Sequence, residues 1–165
     1  MKRLAWVLAA AAALAGGTAE AQDLQRGIAL YNQGNFTAAE PVFRGAIPNL
    51  EARAWLAATL VRLKRYAEVP AQADPVLAAN PVHPRAVAAL GESLVMQEQL
   101  DPAIARMSQA LGKKNDLAYA YYWRGQAYQR QKQVARMVND YEAFLRLAPD
   151  APEAPALRAV VDSLK

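Results

Sequence analysis

The chain has 165 residues, 54% of them hydrophobic, with a formal net charge of +4 and no cysteine. That length suits one domain with a modest core; the missing thiols exclude disulfides, thiolate metal sites and a lipid-modified cysteine; and the scattered charges lack the Lys/Arg stripe that nucleic acid requires. Alanine supplies much of the apolar content, few Val, Ile or Thr runs alternate with polar residues, and good helix formers dominate, so an all-α chain is expected.

The chain opens on Lys2-Arg3, followed by the apolar run Leu4–Leu14, the breakers Gly16-Gly17 and the small-x-small triplet Ala19-Glu20-Ala21. This is the pattern of a secretory signal peptide over residues 1–21, with cleavage expected after Ala21. The apolar run is about half the ~20 residues a membrane-spanning helix needs, so no span is expected in the mature chain. Losing Lys2, Arg3 and Glu20 would leave 17 basic and 14 acidic residues, a net of +3. The expected destination is a bacterial periplasm, with the extracellular space as the alternative.

From Gln22 onward one spacing recurs. Ala57, Gly91 and Gly125 lie 34 residues apart. Each is followed three residues later by a large side chain (Leu60, Leu94, Tyr128) and six residues after that by another apolar one (Tyr66, Leu100, Val134). An earlier copy carries Gly27, Leu30, Phe36, Ala39, Phe43 and Ala46, 30 residues before its neighbour, so its last loop is about four residues short. A fixed period of this size is the signature of a repeat architecture. Small residues let two antiparallel helices approach closely while the large ones fill the gaps. Pro81 and Pro149 should end helices, Asn49 and Asp101 suit N-caps, and Pro102 suits a first helical position. At the C-terminus Leu157, Val160, Val161 and Leu164 share one face of a helix over roughly Pro152–Leu164, which would cover the last apolar surface of a stack.

These anchors resemble the tetratricopeptide repeat, a 34-residue helix–turn–helix unit. The resemblance implies a right-handed α-solenoid of about four repeats over 22–165, at about 22–49, 50–83, 84–117 and 118–151, with a capping helix at about 152–164. The departures are Val69 and Met137 where the family has a small residue, and Ala73 where it has an aromatic; packing there should be looser or shifted.

The resemblance also sorts the aromatics of Ala118–Tyr128. Tyr121 and Tyr128 fall on the side facing the partner helix. Tyr119, Tyr122, Trp123 and Gln126 follow i, i+3, i+4, i+7 and form one stripe, which with Arg130 falls at family positions lining the concave groove. Earlier repeats bring Tyr31 and Asn32, Trp55 and Arg62, and Arg85 and Glu92 to the same surface. Aromatics with Arg are the residue types enriched at binding hot spots. The implied function is a non-catalytic scaffold that binds another protein or peptide segment, in envelope assembly, secretion or maturation; the alternative is a homo-oligomer using the stripe for self-association. The family's carboxylate clamp is not matched, since only Arg85 fits it.

No cofactor, metal or catalytic residue is expected. His83 is the sole histidine and has no companion ligand or nucleophile at useful spacing. It reads as a solvated loop residue, and Asp140 with Glu142 as solvated surface.

Overall fold

The computed structural model describes residues 19–164, all of whose regular structure is helical. Helix α1 runs over 19–32, α2 over Phe36–Gly45, α3 over Leu50–Arg62, α4 over Val69–Ala79 and α5 over Pro84–Met96. Then come α6 (Leu100–Lys113), α7 (Ala118–Arg130), α8 (Val134–Leu147) and α9 (Ala154–Asp162). Of the expected signal peptide, residues 1–18 lie outside the described residues, and 19–21 belong to α1.

The odd-numbered helices α1, α3, α5 and α7 all end the same way. Gly34, Lys64, Glu98 and Lys132 take φ values of 77°, 59°, 58° and 60°. The next residue's N–H then reaches back to a carbonyl five residues earlier, as in Asn35 N to Leu30 O, Arg65 N to Leu60 O, Gln99 N to Leu94 O and Gln133 N to Tyr128 O, each 2.9 Å. This closure satisfies carbonyls that the helix end would orphan and reverses the chain into the next helix. Only the first copy uses glycine, which adopts this backbone without a Cβ clash.

The two helices of a repeat meet at a matched pair of sizes. A Cβ on Gly27 would come within 2.5 Å of the Phe43 ring, and one on Gly125 within 2.6 Å of the Tyr141 ring. Phe43 and Tyr141 are fully buried. At Gly91 the crowding atoms are Met107 Sδ at 2.9 Å and Trp123 Cβ at 2.8 Å. In the second repeat both partners are small: Ala57 and Ala73 stand at the corresponding places, both fully buried in one cluster. The small Ala73 is thus matched by a larger partner than glycine.

The expected shift in the second repeat is visible in its backbone. α4 starts three residues later in its repeat than α2, α6 and α8 do in theirs, after a 3₁₀ turn over Tyr66–Glu68. Pro70 has no N–H to give the Tyr66 carbonyl, so Val69 N–H supplies the bond instead, at i+3.

Helix ends agree with the sequence at Asn49, whose side chain accepts from Glu51 N and Ala52 N at 2.9 and 3.1 Å. Pro81 and Pro149 follow the ends of α4 and α8. Asp101 is not the N-cap: Gln99 O accepts the first helical bond from Ala103 N, so Asp101 and Pro102 sit inside the first turn. An acid is favourable there and a missing N–H harmless. Asp140 is likewise not solvated surface. It is 4% exposed and held by both arms of Arg124, at 2.7 and 2.8 Å, with Ser108 Oγ accepting from the same guanidinium at 2.9 Å.

Odd helices pack on odd helices, α3 on α5 and α5 on α7, whereas no Cα atoms of α4 and α6, or of α6 and α8, come within 8 Å among the described residues, and α4 and α6 are bridged by the ion pair of Arg106 with Asp74. Rods that touch along one edge and diverge along the other curve toward the touching edge, so α1, α3, α5 and α7 line the inner face. α9 closes the stack on α8, burying Ala154, Leu157 and Val161.

Two substitutions test this geometry by chemical denaturation. Gly125→Ala should lower stability by ~1–3 kcal/mol, because Tyr141 and the Cβ compete for one space. Lys132→Gly should raise it by ~1 kcal/mol by relieving the left-handed backbone.

Candidate functional site

The inner face carries a pocket of about 260 Å³ lined by Tyr31 of α1; Ala58, Val61 and Arg62 of α3; Arg85, Ala88, Ala89 and Glu92 of α5; Tyr119 and Trp123 of α7; and Glu153 just before α9. The space exists because alanines occupy the floor. Ala58 and Ala89 stand where the carboxylate clamp would place longer polar side chains.

Six of the residues expected at the groove therefore meet: Tyr31, Arg62, Arg85, Glu92, Tyr119 and Trp123. Trp123 forms part of the wall yet also packs into the stack, over Gly91 and against two buried clusters. Tyr119 stands at the rim, 36% exposed, with its hydroxyl donating to Glu153 Oε2 at 3.2 Å. Tyr122 is half-buried outside the pocket lining, with its ring 4.7 Å from that of Trp123 and 5.2 Å from that of Phe144.

The other expected groove residues lie elsewhere. Trp55 stacks on Phe43, their rings 6.0 Å apart, and the guanidinium of Arg85 covers it at 3.4 Å. Arg130 donates to the Val95 carbonyl and pairs with Glu98 at 3.2 Å, tying α7 to the end of α5. Asn32 is exposed near the end of α1, and Gln126 is half-buried outside the lining. Tyr128 is buried, whereas Tyr121 is only half-buried, with Arg124 5.6 Å from its ring.

His83 is not a solvated loop residue. Its Nδ1 accepts from Ala86 N at 3.4 Å, capping α5, so Nε2 carries the proton and donates to Glu51 Oε2 at 3.0 Å. Glu51 Oε1 accepts from Arg85 at 2.8 Å. His83 thus helps to hold the carboxylate that positions a groove arginine.

Glu153 is the functional candidate that the residue pattern missed. It lies 34 residues after Tyr119, just as Arg85 lies 34 after Glu51, and both pairs are in contact. Extending the period by one step would have found it.

Burial dominates the electrostatics. It pushes the Glu92 carboxyl above the usual carboxylate range, with Arg62 opposing and Glu153 adding to the rise. It raises the Tyr31 phenol against the pull of Arg62 and Arg85, and raises Tyr119 and Tyr122 with help from Glu153. Burial also lowers the proton affinity of Arg85, opposed by Glu51. No side-chain hydrogen bond joins Glu92 or Arg62 to another described residue; the Arg62 guanidinium lies over the Phe36 ring at 5.4 Å.

Residues 118–151, comprising α7, α8 and the turn after them, match the family model of the tetratricopeptide repeat. Residues 118–151 thus form a tetratricopeptide repeat, and the fold of the described residues is that of a tetratricopeptide-repeat solenoid. Solved structures with a similar fold include TTC0263, a thermophilic tetratricopeptide repeat protein of Thermus thermophilus, at TM-score 0.73 and 21% identity over 88% of this chain and 80% of that one. PilF of Pseudomonas aeruginosa is similar at TM-score 0.74 and 19% identity, over 90% of this chain and 69% of its own. YrrB, described as a tetratricopeptide repeat protein with an unusual peptide-binding site, is similar at 0.67 and 18%, over 81% of this chain and 71% of its own. At these identities the likeness is one of fold. No curated protein matches the chain.

Wall and rim of this repeat groove should differ in energetic role. Trp123→Ala leaves a void against Gly91 and should destabilise by ~3 kcal/mol or more, whereas Tyr119→Ala at the rim should change stability by about 1 kcal/mol or less. Urea denaturation of the two variants checks the contrast.

Proposed function

We propose that the chain is a non-catalytic adaptor whose inner groove binds an extended or helical segment of another protein. The observation that carries this reading is the pocket itself, where four stacked helices present aromatic rings and a guanidinium and a carboxylate whose side chains have no hydrogen-bond partners among the described residues. Arg62 is exposed and Glu92 half-buried, so both side chains stay open to a partner, and a preformed surface lowers the ordering cost of association. The described peptide-binding site of YrrB, on a similar fold, supports the same use of the architecture.

Residues 1–21 alone support export, so the adaptor is placed in the periplasm and its client in an envelope assembly, secretion or maturation process. N-terminal sequencing of the protein recovered from the periplasmic fraction should start at Gln22.

The test of binding is a pull-down from that fraction with wild type and with an Arg62→Ala/Tyr119→Ala variant, alongside light scattering. The adaptor reading expects a discrete partner captured by wild type, a loss of at least tenfold in the variant, and unchanged helicity. A wild type that forms a stable dimer, broken by the same substitutions and free of other partners, assigns the groove to self-association.

A further inference from the structure

The charges around the pocket do not cancel. Arg85 is matched by Glu51 at 2.8 Å and covered on its face by Trp55 at 3.4 Å. That leaves Arg62 alone against Glu92 and Glu153, one positive charge facing two negative ones. Among the described residues the Glu153 carboxylate is hydrogen-bonded by the Tyr119 hydroxyl alone, a neutral donor at 3.2 Å. Glu92 has no hydrogen-bond donor among the described residues, and its carboxylate bears the penalty of burial with Glu153 nearby. The remaining walls are the rings of Tyr31, Tyr119 and Trp123.

A half-buried carboxylate, a second carboxylate and aromatic faces together favour a cation. An anion entering the same space would find the guanidinium of Arg62, that of Arg85 already paired with Glu51, and two repelling carboxylates. The volume of about 260 Å³ is below the ~300–1,000 Å³ of pockets that hold drug-sized ligands, and suits one side chain of a larger partner. We propose that the pocket is a subsite for a lysine or arginine side chain of the bound segment, whose charged head pairs with Glu92 and Glu153 while its stem lies along Trp123 and Tyr119. Long basic side chains pack their stems on apolar surface in this way. This specificity rests on the groove-binding reading above and adds to it the chemistry of the partner.

The probe is an array of random-sequence twelve-residue peptides exposed to the folded chain, followed by fluorescence anisotropy on the strongest binders. Bound peptides should be enriched in Lys or Arg beside apolar residues. Replacing that one basic residue by norleucine should weaken binding at least tenfold. In a Glu92→Gln/Glu153→Gln variant, whose substitutions preserve shape, the basic and norleucine peptides should bind within about twofold of each other. Binders without basic enrichment, or a norleucine loss that persists in the variant, overturn the subsite while leaving groove binding intact. Failure to bind any peptide, or binding untouched by Tyr119→Ala, overturns both readings together.

Discussion

Everything in this molecule depends on how closely the two helices of each repeat approach. Where Gly27 and Gly125 stand, the rings of Phe43 and Tyr141 occupy the volume that a Cβ would need; where Ala57 stands, the facing position carries Ala73. Where the facing side chain is large, the first helix carries glycine, and where it is small, alanine suffices, as close-packed interiors require. The spacing so fixed recurs after 30 residues and then every 34, and the left-handed turn at Gly34, Lys64, Glu98 and Lys132 returns the chain at the same point of each repeat. Each repeat therefore presents its first helix to the same side.

The groove follows from that regularity. Residues one period apart become neighbours, which is why Glu51 meets Arg85, Tyr119 meets Glu153 and Arg130 lies against Met96. Ion pairs and hydrogen bonds between equivalent positions fix the rotation of one repeat on the next, and alanines at Ala58, Ala88 and Ala89 leave the intervening space empty. Gly91 has a double part, admitting Met107 within its own repeat and Trp123 from the following one. Fold and candidate site share that contact, so the pocket wall is as rigid as the stack.

The repeat architecture was legible because its signals are local and repeat: small residues at a fixed interval, prolines after helix ends, an Asn cap at Asn49. Six groove residues were legible for the same reason, since register alone assigns a face. Register does not, however, say how far a long side chain reaches or what already holds it. Trp55 and Arg130 have the right positions, but Arg85 covers the first and the end of α5 takes the second. Asp140 and His83 look solvated in one dimension because their partners, Arg124 and Glu51, lie 16 and 32 residues away. The first-turn place of Asp101 turned on Gln99, whose carbonyl starts the helix without any side-chain signature. Glu153 was hidden by its place beyond the last complete repeat.

The account stands on the inner face being the working face. The most direct measurement places a photo-crosslinking residue either at Ala88, in the groove lining, or at Ala78, on the outer side in α4, and irradiates intact cells of the source. The account predicts a discrete adduct with a second, different protein from the Ala88 probe and none from the Ala78 probe. An adduct formed from Ala78 alone, or one from Ala88 with the mass of two copies of this chain, would contradict it.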